Sequence, residues 1–292
     1  MKKWKKIILI SGISLILSGA VLAYIGQLSG GLDAIQYKNH GKVSHVKKKL
    51  DPFDHIDLEG DYYDILVKST TDKEASISYY TNKKEKVDFN VTDKKLSVKQ
   101  SSKGLAHFIN LSILAQLADA KTKNLNTIVI SLPKGQTIST LKSKSSINGL
   151  KLDGLTVNRL DANVDTGNLT VKNSKILAGQ VDIDTGNADI SNSQLSDLTL
   201  TNDTGSIDLD TVTLISSKVS VDTGSLAGQQ LTFKKDNQIS ADTGSIDLSL
   251  KDYHLTVSSH ADTGSVDVSD KLIHSRDNFL DLKADTGSIT LE

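Results

Sequence analysis

Cysteine is absent from the 292-residue chain. That excludes a lipoprotein anchor, a disulfide framework, thiol catalysis and any Cys-based metal site. Disulfides are permitted outside the cell but not required there, so the absence does not argue against export. Aromatics make up 4 % of residues, with 2 prolines and 1 methionine. A core must then be assembled from Val, Ile and Leu, which suits thin β-layers. Arginine is almost missing, with Arg159 and Arg276 alone among 34 basic residues. That weakens any nucleic-acid reading, because arginine is the preferred reader of base edges. The lysine bias also fits AT-rich coding in a low-GC Gram-positive source.

What is present divides unevenly. The net charge of −1 conceals 25 Lys+Arg against 14 Asp+Glu in residues 1–160, and 9 against 21 in residues 161–292. The halves are thus +11 and −12 and suit different electrostatic partners. Residues 1–6 carry four lysines and read as a cytoplasmic basic stub. An uncharged run then opens at Ile7 and closes at Ile25, 19 residues long, and about 20 suffice to span the hydrocarbon layer. With the lysines before it and Asp33 the first charge after it, the positive-inside rule places the N-terminus in the cytoplasm and the rest outside. Residues 7–26 are therefore read as a single-pass transmembrane helix in the cell membrane. The alternative is a cleaved signal peptide ending at Val21-Leu22-Ala23; both readings export the remainder of the chain. Residues 27–50 read as an extracellular stalk, with Lys47, Lys48 and Lys49 as an alternative contact to anionic lipid or wall polymer.

The dominant feature is Asp-Thr-Gly, recurring seven times. The aspartates are Asp165, Asp184, Asp203, Asp222, Asp242, Asp262 and Asp285; the glycines are Gly167, Gly186, Gly205, Gly224, Gly244, Gly264 and Gly287. Spacings of 19, 19, 19, 20, 20 and 23 residues signal a solenoid. Apolar residues two apart come after each glycine except Gly224, as in Leu169/Val171 and Ile207/Leu209, and others precede the aspartate, as in Val181/Ile183. A third short apolar stretch recurs, as in Val212/Leu214 and Leu231/Phe233. Each period therefore reads as three short half-buried strands. The expected fold is all-β: a parallel β-helix or β-solenoid of ~19–20-residue repeats over residues 141–292, with an antiparallel meander as the alternative. In this ladder glycine supplies positive φ at a corner, and aspartate accepts backbone N–H bonds in an Asx turn.

Three chemical readings compete with a structural turn. Asp-Thr-Gly-Ser is also the signature of pepsin-like proteases, but that chemistry needs two converging aspartates that share a proton, which a short-period ladder does not supply. Stacked carboxylates suit calcium, yet the Gly-Gly-x-Gly-x-Asp pattern is missing. A lyase groove needs clustered basic residues, of which the repeats have few. The seven histidines show no His-x-x-x-His spacing, so zinc has no support. The expectation is no catalytic, cofactor or metal residue.

Residues 51–140 alternate as strands without the repeat, for example Ile56/Leu58, Ile65/Val67 and Ile128/Ile130/Leu132. Residues 105–120 break step and read as an amphipathic helix that plugs the solenoid or covers a sheet edge, with docking to the membrane as the alternative. Residues 53–58 (Phe-Asp-His-Ile-Asp-Leu), residues 128–135 (Ile-Val-Ile-Ser-Leu-Pro-Lys-Gly) and the Asp-Thr-Gly coils together resemble the putative adhesin family, bacterial envelope domains of unknown function. The resemblance spans residues 50–292. It implies a β-solenoid on the outer face of the membrane and, in some relatives, a place in envelope-stress loci; it transfers no catalytic residue.

The functional expectation is a membrane-anchored, non-catalytic binding scaffold with a protein or cell-wall partner outside the cell and no nucleic acid. A self-assembling envelope element is the alternative, with self-association through the coil at residues 289–292, and a hydrolase is the third reading.

Overall fold

A computed structural model describes residues 44–60, 63–81, 85–102 and 127–292. The stub at 1–6, the apolar run at 7–26, most of the stalk and the helix expected at 105–120 lie outside the described residues. The compact unit formed by His45–Gly104 and Lys123–Glu292 holds all the described residues but Ser44. The second unit, Met1–Ser44 with Leu105–Thr122, otherwise lies outside them. Among the described residues there are 25 strands, β1 to β25 in chain order, and no helix. None of these residues therefore forms a helix long and apolar enough to cross a membrane.

Throughout the repeats the strands pair in parallel, one coil on the next, which decides against the meander. Three short strands make a coil. Leu169–Lys172 (β11) lies in one sheet; Lys175–Ile176 (β12) and Gly179–Thr185 (β13) lie in the other. Register holds from coil to coil, so like residues form columns. One runs Leu169, Ala188, Ile207, Leu226, Ile246; another runs Ala162, Val181, Leu200, Val219, Ile239. All of these are buried. Alternation turns these side chains between the two sheets, where each buried Val, Leu or Ile contributes about 1.5–3 kcal/mol. Scarcity of aromatics follows from this geometry: the space between two sheets suits branched aliphatics.

The segment before the repeats belongs to the same stack. His55–Gly60 (β2) pairs in parallel with Thr137–Ser145 (β8), and β8 pairs in parallel with Thr156–Thr166 (β10). Asp64–Thr70 (β3) pairs with Leu150–Asp153 (β9), which pairs with β11. The antiparallel pairs lie towards this end: Ser76–Thr81 (β4) with Thr127–Pro133 (β7), and Glu85–Thr92 (β5) with Lys95–Ser102 (β6). Within the segment read as stalk, Ser44–Lys49 is strand β1 and pairs with β4.

Chain order and stack order part company at the far end. Ile289–Leu291 (β25) pairs on one side with Ile246–Leu250 (β21) and on the other with Val266–Val268 (β23). Likewise Asn278–Thr286 (β24) sits between Leu226–Thr243 (β20) and Thr256–Thr263 (β22). The motifs therefore stack in the order 242, 285, 262. The crossing of the two coils is clasped by Thr256, whose hydroxyl donates to Ser275 O (2.7 Å) and accepts from Ser275 N–H (3.1 Å). The expectation of an open coil at 289–292 is corrected: β25 is paired on both sides, and the edge coil is 256–268.

Candidate functional site

The corner carrying Asp-Thr-Gly joins the longer strand of one sheet to the short strand of the other. Register brings the seven motifs into one column: Thr166, Thr185, Thr204, Thr223, Thr243, Thr286 and Thr263 pair in sequence. The preceding aspartates therefore succeed one another at the strand spacing, about 4.8 Å. Six are exposed and Asp165 is half-buried.

Glycine has two roles here, of which the sequence suggested one. Gly205 has φ +141° and Gly186 has φ +150°, values that L side chains rarely adopt. In addition, a Cβ built on Gly205 would lie 1.7 Å from Gly186 O, and one on Gly186 would lie 1.7 Å from Gly167 O. Each glycine thus packs its Cα face against the carbonyl of the glycine one coil away. The same contact recurs up to Gly264 against Gly287 O, at 2.0 Å.

The residue after glycine links coils. Asn187 N–H donates to Asn168 Oδ1 (2.9 Å), and Ser206 N–H donates to Asn187 Oδ1 (3.0 Å). Asp64 begins this ladder by accepting from Gly149 N–H (3.0 Å) and Lys151 Nζ (2.8 Å). The Asx-turn role expected of the motif aspartates is replaced by these bonds. Among the described residues no motif aspartate accepts a backbone N–H bond. Asp262 pairs with His260 at 2.8 Å; the carboxylates of the other six have no hydrogen bond or ion pair among the described residues. Asp222 is held above the ordinary 3.8, first by burial and then by the neighbouring carboxylates of Asp242 and Asp203.

A second acidic line runs along the outer face of the sheet that holds β11. Ala188–Ser191 (β14), Ile207–Asp210 (β17), β21 and β23 supply Asp189, Asp208, Asp247 and Asp267. Asp189 pairs directly with Asp208, whereas Ala227 and Thr290 separate the later members. Asp182 lies on the other sheet, so alternation alone would have misplaced it beside these four.

The corner between β11 and β12 is polar but not acidic. Gly154, Asn173, Asn192 and Thr211 have φ of +71°, +51°, +49° and +56° and line a shallow groove of about 510 Å³ with Thr156, Lys175, Gln194 and Thr213. Among the described residues no group of three or more His, Asp or Glu is placed to hold a metal ion. One polar side chain of the core escapes prediction. Asn202 is fully buried, and its amide donates to Gly186 O (3.0 Å) and Ser206 O (3.4 Å), while Oδ1 has no partner.

With this geometry in place, comparison gives the chain its relatives. The sequence profile of the Toastrack DUF4097 family matches residues 53–291. No curated protein matches the chain. Among solved structures, a putative adhesin from Bacteroides fragilis is similar at 15 % identity, covering 87 % of this chain and 98 % of that one, with a TM-score of 0.41. A putative adhesin from Parabacteroides distasonis shares 14 % identity over 86 % and 97 %, with a TM-score of 0.32. A putative cell adhesion protein from Clostridium sporogenes shares 13 % over 86 % and 99 %, with a TM-score of 0.24.

Proposed function

We propose that this chain, which belongs to the Toastrack DUF4097 family, is a membrane-anchored, adhesin-like scaffold on the outer face of a bacterial cell, binding a partner without catalysing a reaction. The observation that carries the reading is the exposed column of motif aspartates, six of whose carboxylates have no partner among the described residues. Side-by-side carboxylates raise one another's cost of ionisation, and at Asp222 the carboxylates of Asp242 and Asp203 add to the upward push of burial. The corner is held by the glycine contacts and the Asn168 and Asn187 bonds, while the aspartate carboxylates close no turn among the described residues. Their charge is instead available to a protein or wall component outside the cell that carries complementary charge at a matching repeat. The uncharged run from Ile7 to Ile25 supplies the anchor, and its flanking lysines set the orientation.

The lack of native cysteine makes the placement directly testable. Single-cysteine full chains, Lys218→Cys on an exposed strand position and Lys3→Cys in the stub, are treated in intact cells with a membrane-impermeant maleimide. The reading expects Lys218→Cys to label in intact cells and Lys3→Cys to label only after lysis. Protection of Lys218→Cys in intact cells overturns it.

A further inference from the structure

The two described edges of the stack are built differently. Strand β1 reads Ser-His-Val-Lys-Lys-Lys, with all three lysines exposed. Lysine on an edge strand is a common guard against pairing with a foreign strand. At the far edge, β22 reads Thr-Val-Ser-Ser-His-Ala-Asp-Thr and β23 reads Val-Asp-Val. Neither contains lysine, arginine or proline. Among the described residues each pairs on one side only, β22 with β24 and β23 with β25.

The layer behind this edge is incomplete. One coil further in, Leu280, Leu282 and Ala284 are at most 2 % exposed. Their register partners in the edge coil, Val257, Ser259 and Ala261, are only half-buried. Val266 and Ile273 are 42 % and 51 % exposed. The apolar interior of the solenoid therefore opens at this end, beside a row of unpaired backbone groups.

We infer that the 256–268 edge is a self-association surface on which β22 of a second copy of this chain pairs antiparallel, about a two-fold axis through Ser259. The sequence of β22 is self-complementary in that register. Val257 stacks on Ala261 of the second copy, so a larger and a smaller apolar side chain share one layer. Ser258 meets His260, and Ser259 meets itself. Asp262 faces Thr256, whose hydroxyl is 2.9 Å from His274 Nδ1, so along β22 an acid meets a group beside an imidazole and no like charges oppose. A two-fold axis normal to the sheets runs each sheet into its own counterpart, so β23 meets β23 in the same operation. The symmetry closes at two copies. This inference does not depend on the binding role proposed above.

The register is tested by disulfide formation in the full chain, in its own membranes, with copper phenanthroline as oxidant. Directly opposed residues of an antiparallel pair have Cα atoms about 4.5–5.5 Å apart, within the range a disulfide spans. Of Ser258→Cys, Ser259→Cys and His260→Cys, the inference expects Ser259→Cys to give the strongest crosslinked dimer, several-fold above Lys218→Cys in the middle of the stack. Crosslinking of all three at the Lys218→Cys level overturns the edge pairing. A maximum at residue 258 or 260 overturns the two-fold register.

Discussion

Replacing Gly205 by alanine puts a methyl group where no space exists. The added Cβ would lie 1.7 Å from Gly186 O and 2.7 Å from Gly186 C, both backbone atoms. Relief requires parting two coils that are tied on either side of the corner by strand hydrogen bonds. Overpacking of this kind costs about 1–3 kcal/mol. Holding a non-glycine residue at φ +141° adds about 1–3 kcal/mol. The sum, about 2–6 kcal/mol, is a large part of the 5–15 kcal/mol typical of a whole domain. Gly135→Ala is the control, because its φ is +85° but nothing lies within 4 Å of the new Cβ; only the backbone term of about 1–2 kcal/mol applies. Gly264→Ala should fall between them, since its Cβ meets Gly287 O at 2.0 Å but its coil lies at the edge and can move outward. Urea unfolding of the full chain, monitored by circular dichroism, gives the order: Gly205→Ala lowest midpoint, then Gly264→Ala, then Gly135→Ala. Equal midpoints for Gly205→Ala and Gly135→Ala would refute the stacking argument and leave only the φ preference.

The opposite sign is expected at Asn202. Its column neighbours are Ile183 and Val221, and its unpaired Oδ1 costs about 1–3 kcal/mol. Relief of that cost about cancels the loss of its two amide bonds, at about 0.5–1.5 kcal/mol each. Burial of the valine side chain adds about 1.5 kcal/mol, so Asn202→Val should raise the thermal midpoint by roughly 3–6 °C; a lower midpoint would show that those bonds matter more. Acid should favour the ladder at Asp222. Its folded pKa lies above 3.8, so as pH rises the unfolded chain releases this proton first. The associated stability is present below 3.8 and is lost as pH rises through the folded value. Asp222→Asn should therefore raise the midpoint at pH 7 and change it little at pH 3; a gain of equal size at both pH values would remove ionisation as the cause.

How much of this was legible in the sequence differs by element. The period and the three strands per coil follow from Asp-Thr-Gly spacing and period-2 alternation, whereas the same pattern also fits a meander and only the pairing decides for the parallel stack. The interchange of the last two coils left a trace in the 23-residue gap between Asp262 and Asp285, but a gap alone does not tell an insertion from a crossing. The coils before residue 141 escaped because they lack the motif, and even in the coil that follows Asn148 and Gly149 stand where Gly167 and Asn168 stand one coil on. Glycine's positive φ was readable as a local property. Its contact with the carbonyl of the next coil was not, since that depends on register between residues 19 or more apart. The same limit applied to aspartate, for which an Asx turn is the usual local solution; here Asn168 and Asn187 do the linking.

The central claim is that the solenoid binds a partner outside the cell through its acidic column. Affinity capture from crosslinked envelopes tests it most directly, with the tagged full chain beside a full chain carrying Asp184→Asn, Asp203→Asn, Asp222→Asn and Asp242→Asn. These positions are exposed and close no turn, so the fold should persist and circular dichroism should be unchanged. The account predicts an envelope component captured by the native chain and reduced at least tenfold with the neutral column. Equal capture by both chains, or no captured component with either, would contradict it.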